Sequence, residues 1–189
     1  MNALGMYIFG GSQTIGWLSA GFDINTIFEM TEGMRQNNAY HFVKNYPNIS
    51  VLLPSEWQAS YNNYSPDVLF GNPPCSGLSS INRTANVNNE INNHIFEVVD
   101  MALKLKPKVF FIENAPTLTK LGLPILQEIS KRVKSEYKLT IINDMAKNHG
   151  VAMTRRRTFV IGWNRKYFDN NIPKIYANHQ EEFTVGKCF

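Results

Sequence analysis

The sequence predicts an α/β fold, in which a mostly parallel seven-stranded sheet carries helices on both of its faces. Two features of the chain lead to this prediction. Short apolar runs of strand length alternate with longer stretches that have the periodicity of a helix. Polar or glycine-bearing segments follow several of these runs, at the carboxyl ends of strands, where α/β proteins bind ligands. The chain has 189 residues, so we expect one domain with a substantial core.

The predicted elements begin with a strand over residues 5–9 and a helix that Gly21 ends. Thr31 can cap a second helix, over residues 32–44. A third helix is predicted over residues 90–105, where apolar residues recur at helical spacing. The other predicted elements are strands at 25–29, 49–53, 67–71, 109–113, 139–143 and 157–163 and a helix at 123–133.

Composition narrows the class of protein. An apolar fraction of 43% indicates a globular chain, and a formal charge of +4 permits a polyanionic partner without requiring one. The two cysteines, Cys75 and Cys188, are too distant in sequence to suggest a disulfide framework. No apolar run reaches the ~18–20 residues that span a membrane, and the first residues do not resemble a secretory signal. We therefore expect a cytoplasmic protein with reduced thiols, no membrane partner and no metal site.

The segment around Cys75 is the most informative in the chain. It reads Gly-Asn-Pro-Pro-Cys-Ser-Gly-Leu-Ser-Ser over residues 71–80 and follows an apolar run at 67–70. One thiol is thereby placed at the carboxyl end of a buried strand. Two prolines hold the backbone before it, and Gly77 permits another molecule to come close after it. Because a thiolate is well suited to covalent catalysis, Cys75 is predicted to be a nucleophile rather than an inert core cysteine.

Two further polar segments stand next to predicted strands. Glu113 follows four apolar residues, so its carboxyl is predicted to close a buried strand and to have a pKa raised by desolvation. Asn114 is expected to fix the local backbone rather than to take part in chemistry. Three arginines precede the last strand, and on an extended segment Arg155 and Arg157 point to one side and Arg156 to the other.

Cys75, Glu113, Arg155 and Arg157, in this order and each next to a strand end, resemble the motifs of the carbon-5 cytosine methyltransferases, which use S-adenosyl-L-methionine. The resemblance implies a Rossmann-like methyltransferase fold whose last two strands form an antiparallel pair, and a DNA partner whose target cytosine is flipped out. It implies that Cys75 adds to carbon 6 of that cytosine and that Glu113 protonates or hydrogen-bonds ring nitrogen 3. Arg155 would contact the cytosine, and Arg157 would bind nearby structure or phosphate. Met153 replaces the glutamine of the family's Gln-x-Arg-x-Arg pattern.

The cofactor end carries a weaker resemblance. The family has Phe-x-Gly-x-Gly-Gly after its first strand, aligned here with Tyr7-Ile8-Phe9-Gly10-Gly11-Ser12. Phe9 stands where a glycine is expected, which would shift the backbone by one residue, so that Gly10 and Gly11 make the turn. Glu29, at the end of the second strand, would bind the ribose hydroxyls. The implied cofactor-binding residues are Tyr7, Phe9, Gly10, Gly11, Ser12, Glu29, Asn72 and Pro73.

The segment between Cys75 and the third helix, residues 81–93, has the composition of a loop. It contains six asparagines, one arginine and few residues that could be buried. We expect a mobile loop, and beside a nucleophile it would serve as a lid over the substrate. Arg83 in this loop is a candidate contact to a DNA phosphate or to the gap left by a flipped base.

The resemblance covers about residues 5–163, and residues 1–163 are predicted to form the catalytic domain. Residues 164–189 form a tail too short for the separate target-recognition domain of the family. A minimal enzyme, a shortened chain or a partner subunit that supplies recognition would each account for this. The predicted function is that of a bacterial or phage DNA cytosine methyltransferase. Three alternatives stay open: the same chemistry on RNA or a free nucleotide, an amino-group methyltransferase suggested by Asn72-Pro73-Pro74, and a non-catalytic binding or regulatory subunit.

Overall fold

The computed structural model describes residues 1–29, 39–168 and 171–175, and these residues form one sheet with helices around it. The strands are β1 (Ala3–Met6), β2 (Thr26–Phe28), β3 (Ser50–Leu52), β4 (Val68–Gly71), β5 (Val109–Asn114), β6 (Tyr137–Met145) and β7 (Arg156–Asn164). The helices are α1 (Ser12–Ser19), α2 (Tyr40–Asn45), α3 (Pro54–Ser60), α4 (Asn93–Leu105), α5 (Leu123–Val133) and α6 (Arg165–Phe168). Short 3-10 turns lie at Tyr61–Asn63, Glu90–Asn92, Pro116–Thr119 and Ala146–His149.

The strand order is β3-β2-β1-β4-β5-β7-β6. The first five strands of this order pair in parallel, and β7 runs antiparallel to both β5 and β6. The predicted seven-stranded, mostly parallel sheet with an antiparallel final pair is therefore confirmed. Since the chain returns from β3 to the far side of β1, the strand order reverses between β1 and β4, the place where such sheets bind ligands.

Apolar side chains from alternate strand positions form two cores, one on each face of the sheet. One core joins Leu69 and Phe110 to the buried faces of α4 and α5. The other joins Val68 and Phe70 to α2, and Trp17 of α1 stacks on the ring of Phe70. Helices therefore pack on both faces, as the sequence predicts.

The first strand is shorter at its carboxyl end than the predicted range of 5–9. Tyr7 and Phe9 have φ angles of 63° and 44°, a left-handed conformation that does not occur in a regular strand. The chain therefore leaves the sheet after β1 and forms a turn, closed by a 2.8 Å hydrogen bond from the Gly11 N–H to the Ile8 carbonyl. The apolar side chains of residues 5–9 predict a strand, but hydrophobicity does not reveal the φ angles that end the strand at Met6.

Helix α3 was not predicted from the sequence. It begins with Pro54, a residue whose fixed φ and missing N–H suit the first position of a helix. The Glu56 carboxylate accepts a 2.6 Å hydrogen bond from the Leu53 N–H, which stabilises the start of the helix. Both signals, Pro54 and Glu56, are visible in the sequence.

Other differences are small or lie outside the described residues. The predicted helix over 90–105 begins as a 3-10 turn, Glu90–Asn92, before α4 starts. Strand β6 extends beyond the predicted 139–143 at both ends, since it pairs with β7 along nine residues. Most of the helix predicted over 32–44, with its Thr31 cap, lies outside the described residues, and the described part falls in α2.

Gly162 provides a test of the packing between β5 and β7. A Cβ at this position would overlap the Phe110 ring of the paired strand. We expect Gly162→Ala to lower the free energy of unfolding by about 1–3 kcal/mol, measured by urea denaturation. The matched control is Gly16→Ala in α1, where a Cβ meets open space and should raise stability by about 0.5–1 kcal/mol. A loss of similar size in both variants would contradict this account of the packing.

Candidate active site

A cleft of about 680 Å³ opens where β4 and β5 end and β7 begins. The start of α1 lines one part of the cleft, and β7 with the segment before it lines another. The lining residues are Ser12, Gln13, Gly16, Trp17, Asn72, Phe111, Glu113, Ala146, Met153, Arg155, Arg157 and Phe159. Several residues that the sequence singled out therefore meet in one cleft although they are far apart along the chain.

Cys75 lies in a turn that follows β4 and is tied to the segment at the end of β5. Within the turn, the Cys75 carbonyl accepts a 3.1 Å hydrogen bond from the Leu78 N–H. The Asn114 side chain donates to the Pro73 carbonyl at 3.3 Å, and the Thr117 hydroxyl donates to the Leu78 carbonyl. The thiol is free and half-buried. Because these two hydrogen bonds reach residues on either side of Cys75, the segment at the end of β5 fixes the position of the thiol.

The Asn114 anchor can be tested directly. Asn114 is fully buried, and besides its bond to Pro73 its side-chain oxygen accepts a 2.8 Å bond from the Ala115 N–H. We expect Asn114→Ala to cost about 1–3 kcal/mol of stability in urea denaturation, because a buried backbone carbonyl loses its donor. Asn143→Ala is the matched control, since the Asn143 amide also donates to a backbone carbonyl but is exposed. An equal loss in both variants would argue against a specific role for Asn114.

The Glu113 carboxylate is 16% exposed and forms an ion pair with Nε of Arg157. Burial raises the pKa of Glu113, and the positive charges of Arg157 and Arg155 offset that rise only in part. The predicted upward direction of this pKa thus agrees with the structure. A carboxyl group that keeps its proton above the usual range can donate a hydrogen bond to a ring nitrogen.

The arginines alternate in direction as the sequence predicts. Arg155 and Arg157 line the cleft, whereas Arg156 points away and donates to the sulfur of Met145 at 3.7 Å. The Arg155 side chain is exposed, and its carbonyl accepts a 3.1 Å bond from the Ala146 N–H. Arg157 is partly buried because it faces Glu113. Arg155 is therefore the more accessible of the two cations in the cleft.

A second cavity, of about 410 Å³, lies at the carboxyl ends of β1 and β2. It is lined by Met6, Tyr7, Phe28, Glu29, Pro54, Trp57, Gln58, His94 and Glu97. Trp57 stacks on Phe28 with ring centroids 5.2 Å apart, which gives the cavity an aromatic wall. Aromatic faces suit a purine ring, and a carboxylate at a strand end suits ribose hydroxyls. This set of residues therefore fits the nucleoside part of S-adenosyl-L-methionine.

Glu29 connects this cavity to the turn after β1. The residue is 1% exposed, and its Oε2 accepts a 2.9 Å hydrogen bond from the Ile8 N–H. Its backbone carbonyl accepts a bond of 3.3 Å from the Trp57 indole. The Glu29 carboxylate at the end of β2 thus holds the turn and borders the cavity. The sequence did not indicate its hydrogen bond to Ile8.

The turn after β1 runs from Ile8 to Gly11 and so includes Phe9 as well as the predicted Gly10 and Gly11. Phe9 itself adopts the left-handed conformation that the family's glycine position allows, at a cost of about 1–2 kcal/mol for a non-glycine residue. Gly11 has a φ of 83°, and a Cβ there would overlap the Phe42 ring. Of the expected cofactor residues, Phe9, Gly10, Gly11 and Pro73 line neither of the two cavities, whereas Ser12 and Asn72 line the larger cleft.

The sequence did not indicate the polar group formed by Tyr7, His94 and Glu97. The Tyr7 hydroxyl donates to the Glu97 carboxylate, and His94 Nδ1 lies 3.1 Å from Glu97 Oε1. Burial, with the nearby Glu97 carboxylate, raises the pKa of Tyr7. The sequence feature that could have revealed part of this group is the spacing of His94 and Glu97, since residues three positions apart lie on one side of a helix.

The asparagine-rich loop is more ordered in its hydrogen bonding than its composition suggests. The Asn82 side chain accepts from the Thr84 N–H at 3.1 Å and donates to the Ser76 carbonyl at 2.8 Å. The Asn92 side chain donates to the Asn86 carbonyl at 3.0 Å. These asparagines close turns, a common role for the residue. Arg83 is exposed and lines neither cavity, and the action of this loop as a mobile lid stays a prediction.

The model of the C-5 cytosine-specific DNA methylase family matches residues 7–187, and the chain belongs to this family. It is 33% identical over 194 residues to the type II methyltransferase M1.HgaI of Avibacterium volantium, covering 91% of this chain and 53% of that protein. It is 27% identical over 163 residues to the type II methyltransferase M.HindV of Haemophilus influenzae, covering 86% of this chain and 53% of that protein. The chain thus spans about half the length of these curated relatives.

Solved structures share the fold. A protein described as a DNA modification methyltransferase encoded within an Escherichia coli prophage matches with a TM-score of 0.78 at 21% identity. The match covers 99% of this chain and 53% of that one. A DNMT2 mutant of Spodoptera frugiperda matches with a TM-score of 0.68 at 15% identity, over 97% of this chain and 56% of that one. The fold is therefore that of S-adenosyl-L-methionine-dependent methyltransferases.

Within residues 1–29, 39–168 and 171–175, no helix is long and apolar enough to cross a membrane. The same residues contain no group of three or more histidine, cysteine or acidic side chains arranged to hold a metal ion.

Proposed function

We propose that this chain is the catalytic part of a methyltransferase that places a methyl group from S-adenosyl-L-methionine on carbon 5 of cytosine in DNA. The observation that carries this proposal is the meeting of Glu113, Arg155 and Arg157 in one cleft. The turn that holds Cys75 is bonded to the neighbouring end of β5. This arrangement brings a thiol, a buried carboxyl and two cations to the same end of the sheet.

Cys75 would act as the nucleophile. Its thiolate forms a bond from sulfur to carbon 6 of cytosine, and the ring electron pair moves toward carbon 5, which becomes nucleophilic. When bound, the cofactor supplies the methyl group through its sulfonium, which becomes a neutral thioether as the bond from methyl carbon to sulfur breaks. Loss of the carbon-5 proton to water then returns the electron pair, breaks the bond to sulfur and restores the Cys75 thiolate.

Glu113 and the arginines would hold the base. A protonated Glu113 donates to ring nitrogen 3, which draws electrons from carbon 6 and makes the attack of the thiolate easier. Arg155, exposed at the cleft, would donate to the base oxygen. Arg157 would keep the protonated Glu113 in place through the hydrogen bond from its Nε to Oε1 of Glu113, and its proposed contact to DNA would use Nη2, because Nη1 donates to the Arg156 carbonyl.

The cofactor would extend across both cavities. Trp57 and Phe28 would contact the adenine face, and Glu29 the ribose hydroxyls. The Ile8–Gly11 turn, with Ser12 and Asn72, would border the part of the cofactor that carries the sulfonium. These roles rest on the fit of the side chains to the chemical groups.

Base flipping and target recognition complete the proposal. A cytosine within a duplex cannot reach Cys75 unless it leaves the stack. We propose that the asparagine-rich loop closes over the flipped base and that Arg83 contacts DNA there. The residues that read the target sequence would lie outside residues 7–187, either in a longer form of this protein or in a partner subunit. The proposed setting is the cytoplasm of a bacterial host, for a gene of bacterial or phage origin, where Cys75 stays reduced.

The proposal is tested by methyl transfer from labelled S-adenosyl-L-methionine to unmethylated duplex DNA, with total RNA and free cytidine nucleotides in parallel. The products are digested to nucleosides and identified by mass. We expect 5-methylcytosine in DNA. Transfer only to RNA or nucleotides would replace the DNA assignment, and N4-methylcytosine or N6-methyladenine would indicate an amino-group enzyme. Cofactor binding without any transfer would favour a regulatory subunit.

A further inference from the structure

Gln13, the second residue of α1, carries an amide whose nitrogen and oxygen are both buried and have no hydrogen-bond partner among the described residues. Buried polar atoms of folded proteins are nearly always paired, so an unpaired amide calls for an explanation. Gln13 also lines the cleft that contains Asn72, Glu113 and Arg155. Its partner is therefore expected among the molecules that enter this cleft.

Two chemical groups would meet in the cleft, the cytosine and the amino-acid end of the cofactor. The cytosine already has complementary groups in Glu113 and Arg155 on β5 and next to β7. Gln13 instead follows the Ile8–Gly11 turn, which Glu29 bonds to the wall of the nucleoside cavity. Along the chain, the residues of the nucleoside cavity are followed by the turn and then by α1. We therefore expect Gln13 on the side of the cleft that is nearer the cofactor.

The chemistry of an amide matches the amino-acid end of the cofactor. A glutamine side chain has both donor hydrogens and an acceptor oxygen. The α-amino-carboxylate group of S-adenosyl-L-methionine presents an ammonium, which only donates, and a carboxylate, which only accepts. Hydrogen bonds to charged groups are stronger than those between neutral groups, so such a contact would matter for affinity.

We propose that Gln13 binds the amino-acid end of S-adenosyl-L-methionine, with Oε1 accepting from the ammonium and Nε2 donating to the carboxylate. This inference rests on the proposed function and deepens its cofactor site. The amide reaches the ligand by rotation about its side-chain torsions. Since the amide has no hydrogen-bond partner among the described residues, this rotation breaks no hydrogen bond.

The test compares two ligands that differ at the proposed contact. S-adenosylhomocysteine has the amino-acid end, whereas 5′-methylthioadenosine has the nucleoside and sulfur without it. By isothermal titration calorimetry, we expect Gln13→Ala to weaken binding of S-adenosylhomocysteine about tenfold and to leave binding of 5′-methylthioadenosine within a factor of about two. Gln127→Ala is the matched control, because Gln127 is exposed on α5 and should change neither affinity.

A second variant separates ligand binding from folding. Gln13→Met keeps the length of the side chain and removes the unpaired polar atoms. We expect it to raise the melting temperature of the ligand-free protein by about 2–4 °C while it weakens S-adenosylhomocysteine as Gln13→Ala does. A merely structural glutamine would not give opposite changes in stability and affinity.

Two results would overturn the assignment in distinguishable ways. If the wild-type chain binds both compounds and Gln13→Ala binds them equally well, or loses affinity for both to the same extent, Gln13 does not contact the amino-acid end. If the wild-type chain binds neither compound, the cofactor site of the proposed function itself fails, and the Gln13 assignment fails with it.

Discussion

Cys75→Ser is expected to abolish methyl transfer, with a loss of at least about a thousandfold, while cofactor affinity stays within a factor of about two. A hydroxyl at this position is far less acidic than a thiol, so almost no nucleophile is available at neutral pH. Cys75 lines neither of the two cavities in which the cofactor is proposed to bind, so its replacement should preserve cofactor binding. Rates come from methyl transfer to duplex DNA, and affinities from calorimetry.

A trapping experiment makes this prediction sharper. In DNA that carries 5-fluorocytosine, fluorine replaces the proton that must leave carbon 5, so the bond from sulfur to carbon 6 cannot be broken after transfer. We expect the wild-type chain and the control Cys188→Ser to form a complex with this DNA that survives denaturing electrophoresis. Cys75→Ser should form none. A stable complex in Cys75→Ser, or its loss in Cys188→Ser, would remove Cys75 from the role of nucleophile.

Glu113→Gln is expected to lower the rate of methyl transfer about 10²–10⁴-fold, the usual contribution of a general acid, while cofactor affinity stays nearly unchanged. The amide is close to the carboxyl in size, and it can donate a hydrogen bond without transferring a proton. The measurement is the rate with saturating cofactor together with the calorimetric affinity. If affinity falls as much as the rate, Glu113 belongs to the cofactor site and the catalytic assignment is wrong.

The pH dependence adds a second readout for Glu113. Burial raises its pKa, so the protonated form persists above the usual carboxyl range and disappears as the pH rises through the raised value. Wild-type activity should therefore decline with pH in that window, on account of this group. The residual activity of Glu113→Gln should lack this decline, because an amide keeps its hydrogens at every pH. Glu90→Gln, at an exposed position outside both cavities, is the control and should keep the wild-type profile.

The strands and helices were largely predictable because the signals that specify them are local. Helix α5 has the bounds that the sequence predicts, and the last two strands pair antiparallel as predicted. The exceptions are instructive. The strand predicted through Phe9 ends at Met6, because the left-handed backbone at Tyr7 and Phe9 leaves no trace in hydrophobicity. Helix α3 was missed although Pro54 marked its start.

The site residues were predicted in part. Placement of Cys75, Glu113 and Arg155 at strand ends follows from the sequence, since the end of an apolar run is visible there. Glu113 and Arg155 meet in one cleft because the strand order places β5 beside β7, and Cys75, which is not among the lining residues, lies in the turn after the neighbouring strand β4. The Tyr7 contact to Glu97 could not be predicted, because it joins residues that are distant in sequence.

The sequence by itself determined the fold class, the family resemblance and the candidate nucleophile. Each depends on short-range order along the chain: alternating apolar runs, a proline-walled cysteine, and charged residues beside strands. Only the tertiary structure decided that Arg157 pairs with Glu113, that Glu29 holds the turn through Ile8, and that the Gln13 amide has no partner among the described residues. Pairing and burial are properties of neighbours in space, and those neighbours are set by packing of the sheet rather than by adjacent residues.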